Sequence, residues 1–340
     1  MPDQKKRGVI LMNLGSPDST RVKDVRVYLN EFLMDERVID SSYITRSLLV
    51  KGIITPFRAP KSAEAYKAIW GKDGSPLVAI THQLKTALEQ LLHDPMEVAM
   101  RYGNPTMKHA YDQLHKAHPD LEEVILLPLY PHYAMSSYET AVEHAKAVHK
   151  KGKYPFRIST IAPFYNDPAY IAALAESIRP YLAQTDGHLL FSYHSIPERH
   201  IIKSDVTKSH CLQRADCCQT ASPAHKYCYR HQCFTTTWLV TEYLGIPKEN
   251  YSVSFQSKLG RSEWLKPPTT LRMDQMPKEG IKNLAVVCPS FVSDCLETLE
   301  EIAIREKENF LKAGGENFTF IPCMNTQPQW VKAIVNLIGN

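Results

Sequence analysis

No uninterrupted apolar run in this 340-residue chain approaches the roughly 18 residues of a membrane-spanning helix. The N-terminus, Met1-Pro2-Asp3-Gln4-Lys5-Lys6-Arg7, is charged, but no signal-length apolar core follows it. No basic arm or stripe stands out: the net charge of +4 is spread along the chain, which argues against nucleic acid as a partner. A disulfide framework spread over the fold is also missing. Five of the eight cysteines fall between Cys211 and Cys233. In a cytoplasmic chain such a cluster reads as a metal site. These absences leave a soluble, cytoplasmic protein as the simplest expectation, with length enough for two domains of ordinary size.

What is present is an alternation of apolar, β-branched runs with helix-patterned segments. The runs predict strands over 9–13, 98–101, 124–129 and 157–161 in the first half, and over 189–193, 252–255, 284–288 and 319–321 in the second. They are mostly continuous rather than alternating, as parallel strands covered on both faces are. Four strands per half predict an α/β protein of two doubly wound domains, each with a four-stranded parallel sheet, and a cleft between them. The likeness of the halves is architectural; no sequence repeat accompanies it. The stretch Ala162-Pro163-Phe164-Tyr165-Asn166-Asp167-Pro168 reads as the connector. It divides the chain into domains 7–163 and 164–328, with a helical pattern over 329–339 expected to pack back on the first domain.

The stretch Leu189-Leu190-Phe191-Ser192-Tyr193-His194-Ser195-Ile196-Pro197 is the most informative in the chain. A short apolar run, bounded by a proline that cannot donate to a sheet ladder, predicts a buried strand with His194 just past its carboxyl end. Ligands of open α/β sheets bind at that edge, and imidazole exchanges protons near neutral pH. A loop histidine bonded to nearby backbone is the plainer reading.

A second cluster is Ser293-Asp294-Cys295-Leu296-Glu297-Thr298-Leu299-Glu300-Glu301. Asp294 reads as a helix N-cap with Glu297 at the capping-box position, which is a purely structural account. Asp294, Glu297 and Glu301, at i, i+3 and i+7, are expected on one helical face, where like charges repel by a few tenths of a kcal/mol per pair. A metal cation or proton traffic along that face would offset the repulsion. The segment 41–57 mixes Tyr43, Ile44, Leu48, Leu49, Val50, Ile53, Ile54 and Phe57 with Arg46 and Lys51. It reads either as a core helix or as an apolar lip that touches a membrane surface.

The histidine and carboxylate stretches together resemble ferrochelatase, the family that inserts ferrous iron into a porphyrin to make haem. The resemblance runs over nearly the whole chain. Gly8-Val9-Ile10-Leu11-Met12-Asn13-Leu14-Gly15-Ser16-Pro17 is similar to the family's opening strand and turn. Arg58, Tyr66 and Gly74-Ser75-Pro76 resemble its porphyrin-contacting segment. Met100-Arg101-Tyr102-Gly103, Leu129-Tyr130-Pro131-His132-Tyr133 and Phe255-Gln256-Ser257-Lys258-Leu259-Gly260 with Trp264-Leu265 resemble further blocks.

The resemblance implies two Rossmann-like halves flanking a porphyrin cleft, a chelatase-like fold. It implies insertion of Fe(II) into protoporphyrin IX with release of two protons, the last step of haem biosynthesis. His194 and Glu297 would be the catalytic and iron-binding pair, and Glu301 would continue an acidic track away from them. Leu14, Arg58, Tyr66, Ser75, Arg101, Tyr130, Tyr133 and Trp264 would contact the porphyrin. Peripheral membrane attachment through 41–57 is compatible with it.

The cysteine segment, within an insertion at 200–233, carries Cys211, Cys217, Cys218, Cys228 and Cys233. Four thiolates suit structural zinc or a [2Fe–2S] cluster, and His210, His225 and His231 are possible zinc ligands. Some bacterial ferrochelatases are similar in carrying a [2Fe–2S] cluster on an internal cysteine segment. The resemblance therefore implies that cluster, on four of the five cysteines, with zinc as the alternative. Cys288 and Cys323 read as core residues; Cys295 stays open. Two other functions remain on the same motifs: a chelatase for coproporphyrin or another tetrapyrrole, and a non-catalytic iron–sulfur sensor.

Overall fold

A computed structural model describes residues 6–182, 187–258 and 262–339. Met1 to Lys5, and Leu259 and Gly260 of the glutamine–serine block, lie outside the described residues. The chain divides into two compact units. The first comprises 1–129, 135–162 and 335–340, and the second comprises 130–134 and 163–334.

The first unit contains, in chain order, β1 (Arg7–Ser16), α1 (Val22–Leu33), α2 (Tyr43–Ser47), the π-helix π1 (Leu48–Ile54), α3 (Thr55–Ile69) and α4 (Pro76–Glu89). β2 (Met96–Gly103), α5 (Met107–Ala117), β3 (Glu123–Pro128), π2 (Met135–Glu139), α6 (Thr140–Gly152) and β4 (Arg157–Thr160) follow. Its sheet has the order β2-β1-β3-β4, all parallel. Val9, Ile10 and Leu11 of β1 are fully buried. Helices cover both faces of a central parallel strand, so consecutive residues are all apolar.

β1 ends in a tight approach to β2. Gly15 has φ +107°, and a Cβ there would lie 1.8 Å from the carbonyl oxygen of Tyr102. Only glycine lets the two strand ends come so close. α5 shows how the helices are specified. Thr106 caps it by accepting from the amide of His109 at 3.2 Å, and Met107, Ala110, Tyr111 and Leu114 form its buried stripe.

The second unit contains α7 (Pro168–Leu182), β5 (His188–His194), α8 (Glu198–Ser204), α9 (Tyr229–Leu244), β6 (Tyr251–Gln256), α10 (Thr269–Gln275) and β7 (Asn283–Val287). π3 (Glu297–Glu306), α11 (Lys307–Lys312), β8 (Asn317–Phe320) and α12 (Pro328–Gly339) complete it; α12 ends among the last residues of the first unit. The sheet order β6-β5-β7-β8, all parallel, repeats that of the first unit. Leu190, Leu284, Val286, Cys288, Ile302 and Phe310 share one buried core. All eight expected strands form. In each unit the chain order reverses beside the first strand, β1 or β5, and ligands of doubly wound sheets bind outside the strand ends at that reversal.

Two expectations change. The segment 41–57 is not a core helix: Tyr43, Ile44, Leu48, Ile53 and Phe57 are exposed, and among the apolar side chains only Val50 is fully buried. The carboxylate segment is not an α-helix opened by Asp294. Ten residues from Glu297 form a π-helix, whose i→i+5 hydrogen bonding breaks the α-helical face assumed for i, i+3 and i+7.

Candidate active site

His194 is the last residue of β5 rather than the first beyond it. On one side β5 still pairs with β6, His194 standing opposite Gln256. On the other side pairing with β7 stops at Phe191 and Val287, because β7 turns away into Cys288 and Pro289. Two hydroxyls replace the missing strand. The amide of His194 donates to Ser290 Oγ at 3.1 Å, and its carbonyl accepts from the Tyr229 hydroxyl at 2.8 Å. The two hydroxyls lie 2.7 Å apart. Since the Tyr229 proton goes to the carbonyl, Ser290 is the donor between them. The imidazole itself is half-buried, with the Phe291 ring edge-on at 6.1 Å.

Beneath β5 lies a buried histidine. His132 Nε2 is 3.0 Å from Thr236 Oγ1, and its ring meets those of Tyr193 and Tyr229 edge-on at 5.5 and 5.8 Å. Burial pushes its pKa down to about 3, so it is a neutral packing partner throughout the physiological range.

Gln256 ties His194's strand neighbour to the acidic helix. Its Nε2 donates to the carbonyl of Glu297 at 2.8 Å, and its Oε1 accepts from Ser192 Oγ at 2.8 Å. Ser257, in the left-handed region at φ +66°, turns its amide onto Glu301 Oε1 at 2.9 Å and its hydroxyl onto Glu301 Oε2. Glu301 is 8% exposed. Burial pushes its pKa up to about 7, with the nearby Glu297 adding to the rise and Ser257 and Arg305 opposing it. The Arg305 guanidinium stays 3.9 Å away, too far for a hydrogen bond.

Asp294 belongs elsewhere. Its carboxylate accepts from Thr298 Oγ1 (3.0 Å), the amide of Cys323 (3.2 Å) and Asn325 Nδ2 (2.7 Å). These bonds satisfy it internally and anchor the start of π3. Cys288, Cys295 and Cys323 are all buried thiols, with pKa raised by burial first.

The second unit thus holds His194, Glu297 and Glu301 on elements tied together by Gln256 and Ser257. It also holds the expected porphyrin contacts Tyr130, Tyr133 and Trp264. Trp264 bridges to Pro197, just beyond the histidine, and the Tyr133 ring is edge-on to Tyr227 at 5.1 Å.

In the first unit, Leu14 lies near the carboxyl end of β1, Arg58 and Tyr66 lie on α3, and Arg101 lies on β2. Ser75 lines a cavity of about 630 Å³ with Trp70 and Asp73. The Arg101 guanidinium is ion-paired to Asp35 and donates to Thr140 Oγ1 at 2.8 Å, whereas Arg58 has no ion-pair partner among the described residues.

The cysteine segment is organised by Asp205. Its carboxylate accepts from the amides of Thr207, His210 and Cys211, each at 2.8 Å. Burial resists ionisation, but these amides and the Thr207 hydroxyl hold the pKa well below the usual carboxylate range. The three histidines bind main chain: His210 Nε2 and His225 Nε2 reach the carbonyl of Cys217 (2.6 and 2.9 Å), and His231 Nδ1 reaches that of Cys218 (2.8 Å). The rings of His225 and His231 stack at 3.6 Å. They clamp the adjacent cysteines by their backbone.

Among the described residues no three histidine, cysteine or carboxylate groups stand in metal-ligating geometry. The thiols nevertheless gather. Cys228, Cys217 and Cys218 lie close enough to Cys211, and Cys228 and Cys217 to Cys218, to influence how those thiols ionise. Arg230 Nη1 lies 3.2 Å from Cys218 Sγ and 3.7 Å from Cys217 Sγ. Cys233 lies one turn into α9, fully buried, with the Tyr229 hydroxyl and the Cys218 thiol both near enough to influence it. Thiols are the donors that iron–sulfur clusters take, and the arginine beside Cys217 and Cys218 would offset thiolate charge.

The sequence profile of the Ferrochelatase family matches residues 6–340. This chain belongs to the ferrochelatase family. It is 47% identical to the ferrochelatase of Pseudomonas entomophila (strain L48) over 98% of both chains. It is likewise 47% identical to that of Opitutus terrae (strain DSM 11246 / JCM 15787 / PB90-1), over 98% of this chain and 96% of the other. Among solved structures, SirB from Bacillus subtilis with Fe3+ shares the fold at a TM-score of 0.54 and 14% identity, covering 98% of this chain and 94% of that one.

Sequence reading named Gln256 and Ser257 as part of a family block without their roles, and it missed Tyr229. Nothing local marks a tyrosine whose hydroxyl serves a strand 35 residues earlier.

The Glu301 titration has a measurable sign. The folded pKa of about 7 lies above the ordinary glutamate value of 4.5, so the native state binds the proton more tightly than the unfolded chain. That contribution to stability is complete below about pH 4.5 and is lost as pH rises to about 7. Glu301→Gln removes the titration. Relative to the parent it gains on the order of 3 kcal/mol between pH 5 and pH 8, read from urea midpoints at the two pH values; an equal difference at both would reject the raised pKa.

Proposed function

We propose that His194, Glu297 and Glu301 carry out the metal insertion in this chain. The reaction is that of its family: Fe(II) enters protoporphyrin IX, two pyrrole protons leave and protohaem forms, a lyase step of haem biosynthesis. The observation that carries the residue assignment is the His194 peptide clamp in the same unit as a buried carboxyl poised near neutrality. An imidazole fixed at a strand end can accept a pyrrole proton or ligate the iron. A carboxylate in the same unit favours the cation, and a carboxyl with pKa near 7 can take protons onward and release them at neutral pH. The Ser257 hydroxyl serves both forms of Glu301, donating to the carboxylate and accepting from the acid.

Leu14, Tyr66, Ser75, Tyr130, Tyr133 and Trp264 are assigned to the porphyrin by family resemblance. For the propionates, Arg58 is preferred to Arg101, whose charge Asp35 already neutralises.

We assign the ligands of a [2Fe–2S] cluster to Cys211, Cys217, Cys218 and Cys228, with Cys233 left out. Support comes from the proximity of those four thiols, each of which affects the ionisation of another, and from the place of Cys233, one turn into α9 beside Tyr229. Bound there, the cluster would supply a redox-active, segment-ordering group; insertion chemistry needs no electron from it.

No helix among the described residues is long and apolar enough to cross a membrane. The segment 41–57 exposes Tyr43 (66%), Ile44 (72%), Leu48 (70%) and Phe57 (74%). We read it as a peripheral contact of a cytoplasmic enzyme with the bilayer surface.

Three outcomes test these assignments. His194→Ala abolishes conversion of protoporphyrin IX and Fe(II) to haem under anaerobic conditions, by about 10³-fold or more, with the melting transition retained; tenfold or milder loss would sink the histidine's role. In iron and acid-labile sulfide analysis, Cys233→Ser keeps the parent's content while Cys211→Ser loses it; the reverse pattern overturns the ligand set. Leu48→Ser with Phe57→Ser lowers co-sedimentation with phosphatidylglycerol-containing vesicles several-fold without changing turnover on detergent-dispersed porphyrin; unchanged co-sedimentation removes the lip from the membrane contact.

A further inference from the structure

α9 begins where the cysteine segment ends, with Cys228 as its N-cap residue. Its buried face is polar. Tyr229, Gln232, Cys233, Thr236 and Thr237 all face inward, at i, i+3, i+4, i+7 and i+8, where a covered helix ordinarily carries aliphatic residues. Four of these side chains reach the surroundings of the active site. Gln232 Oε1 accepts from the amide of Tyr133 at 2.7 Å, and its Nε2 donates to the carbonyl of Lys226 at 2.9 Å. Thr236 donates to the carbonyl of Tyr165 at 2.7 Å and meets His132. Thr237 Oγ1 lies 2.8 Å from the Tyr193 hydroxyl, next to His194. Tyr229 donates to His194 itself.

We propose that Tyr229 is a positioning residue for metal insertion, through which the order of the cysteine segment reaches His194; the proposal rests on the assignment of His194 made above. The Tyr229 ring is 5% exposed, and phenylalanine would fill the same volume, so the hydroxyl is there for its bonds. A buried hydroxyl is costly unless paired; this one is paired to the carbonyl of His194 and to Ser290. On its other side, Tyr229 directly follows Cys228, whose thiol lies close enough to those of Cys211 and Cys218 to influence their ionisation. Whatever orders those thiols fixes the first turn of α9, and with it the hydroxyl that fixes the end of β5. The cysteine segment thereby acts on the site mechanically, with no electron transferred.

The test is steady-state kinetics on the intact enzyme with Fe(II) and protoporphyrin IX. Tyr229→Phe is expected to lower kcat about tenfold or more, with KM for porphyrin within about twofold and iron content unchanged. Ser290→Ala, which opens the same clamp from the loop side, should do likewise, and it carries the test should Tyr229→Phe fold poorly. The double variant should be no worse than either single one, since both remove one interaction. Cys228→Ser should lower kcat in the parent but add nothing to Tyr229→Phe. Parental kcat in folded Tyr229→Phe and Ser290→Ala overturns the proposal, as does a Cys228→Ser effect that multiplies with that of Tyr229→Phe. If His194→Ala is inactive while both clamp variants are normal, this inference alone falls; if His194→Ala is active, the assignment beneath it falls first.

Discussion

The backbone of His194 stands at a point where a sheet runs out. β5 keeps its partner on the β6 side through Gln256 but loses its partner on the β7 side after Phe191. A buried amide and carbonyl left there would each cost about 1–3 kcal/mol. β7 does not serve them, because its pairing with β5 ends at Val287 and its chain leaves through Cys288 and Pro289. Ser290 and Tyr229 close the gap with a cycle of bonds at 3.1, 2.7 and 2.8 Å. The sheet is thereby allowed to open toward ligand space while the last strand residue stays fixed. The ring of His194 inherits its position from that closure.

The strands were legible because each is covered on both faces. Burial on two sides makes a run such as Val9-Ile10-Leu11 apolar at every position, a signal that needs no partner to be seen. His194 was legible for a related reason: a polar residue that interrupts such a run beside a proline marks a strand end. The acidic helix was not. Its residues were placed by the 3.6-residue period, and nothing in Glu297 to Glu306 announces that the backbone adopts the wider π turn. Asp294 therefore looked like a third member of an acidic face, when its carboxylate is consumed by Thr298, Cys323 and Asn325. The 41–57 segment was ambiguous because apolar content says how much surface wants covering, and not whether this chain covers it.

The polar stripe on α9 shows a different trade. Buried threonines and a buried glutamine contribute less than leucines would by area, and each must find its partner or cost free energy. In exchange they set direction. A leucine stripe would tolerate small slides of α9 against β5, whereas bonds to Tyr133, Tyr165, Tyr193 and His194 hold only in one register. The helix that closes the cysteine segment is therefore held in register, and the three histidine-to-carbonyl bonds that clamp Cys217 and Cys218 extend the same order into the segment.

Glu301 presents the opposite problem under the role we propose for it, since a proton carrier must not be held in one state. A salt bridge would fix it as a carboxylate, but Arg305 stands 3.9 Å off and half in solvent, where such pairs are worth little. An apolar pocket alone would fix it as an acid. Ser257 lies between these extremes. Its amide bonds either form, and its hydroxyl can reverse its role as the proton comes and goes. Burial raises the carboxyl and Ser257 lowers it, and the balance near pH 7 leaves the two states nearly equal in free energy. A group in that condition passes a proton in either direction at little cost, which suits a step that must remove two protons from a ring and deliver them to neutral water.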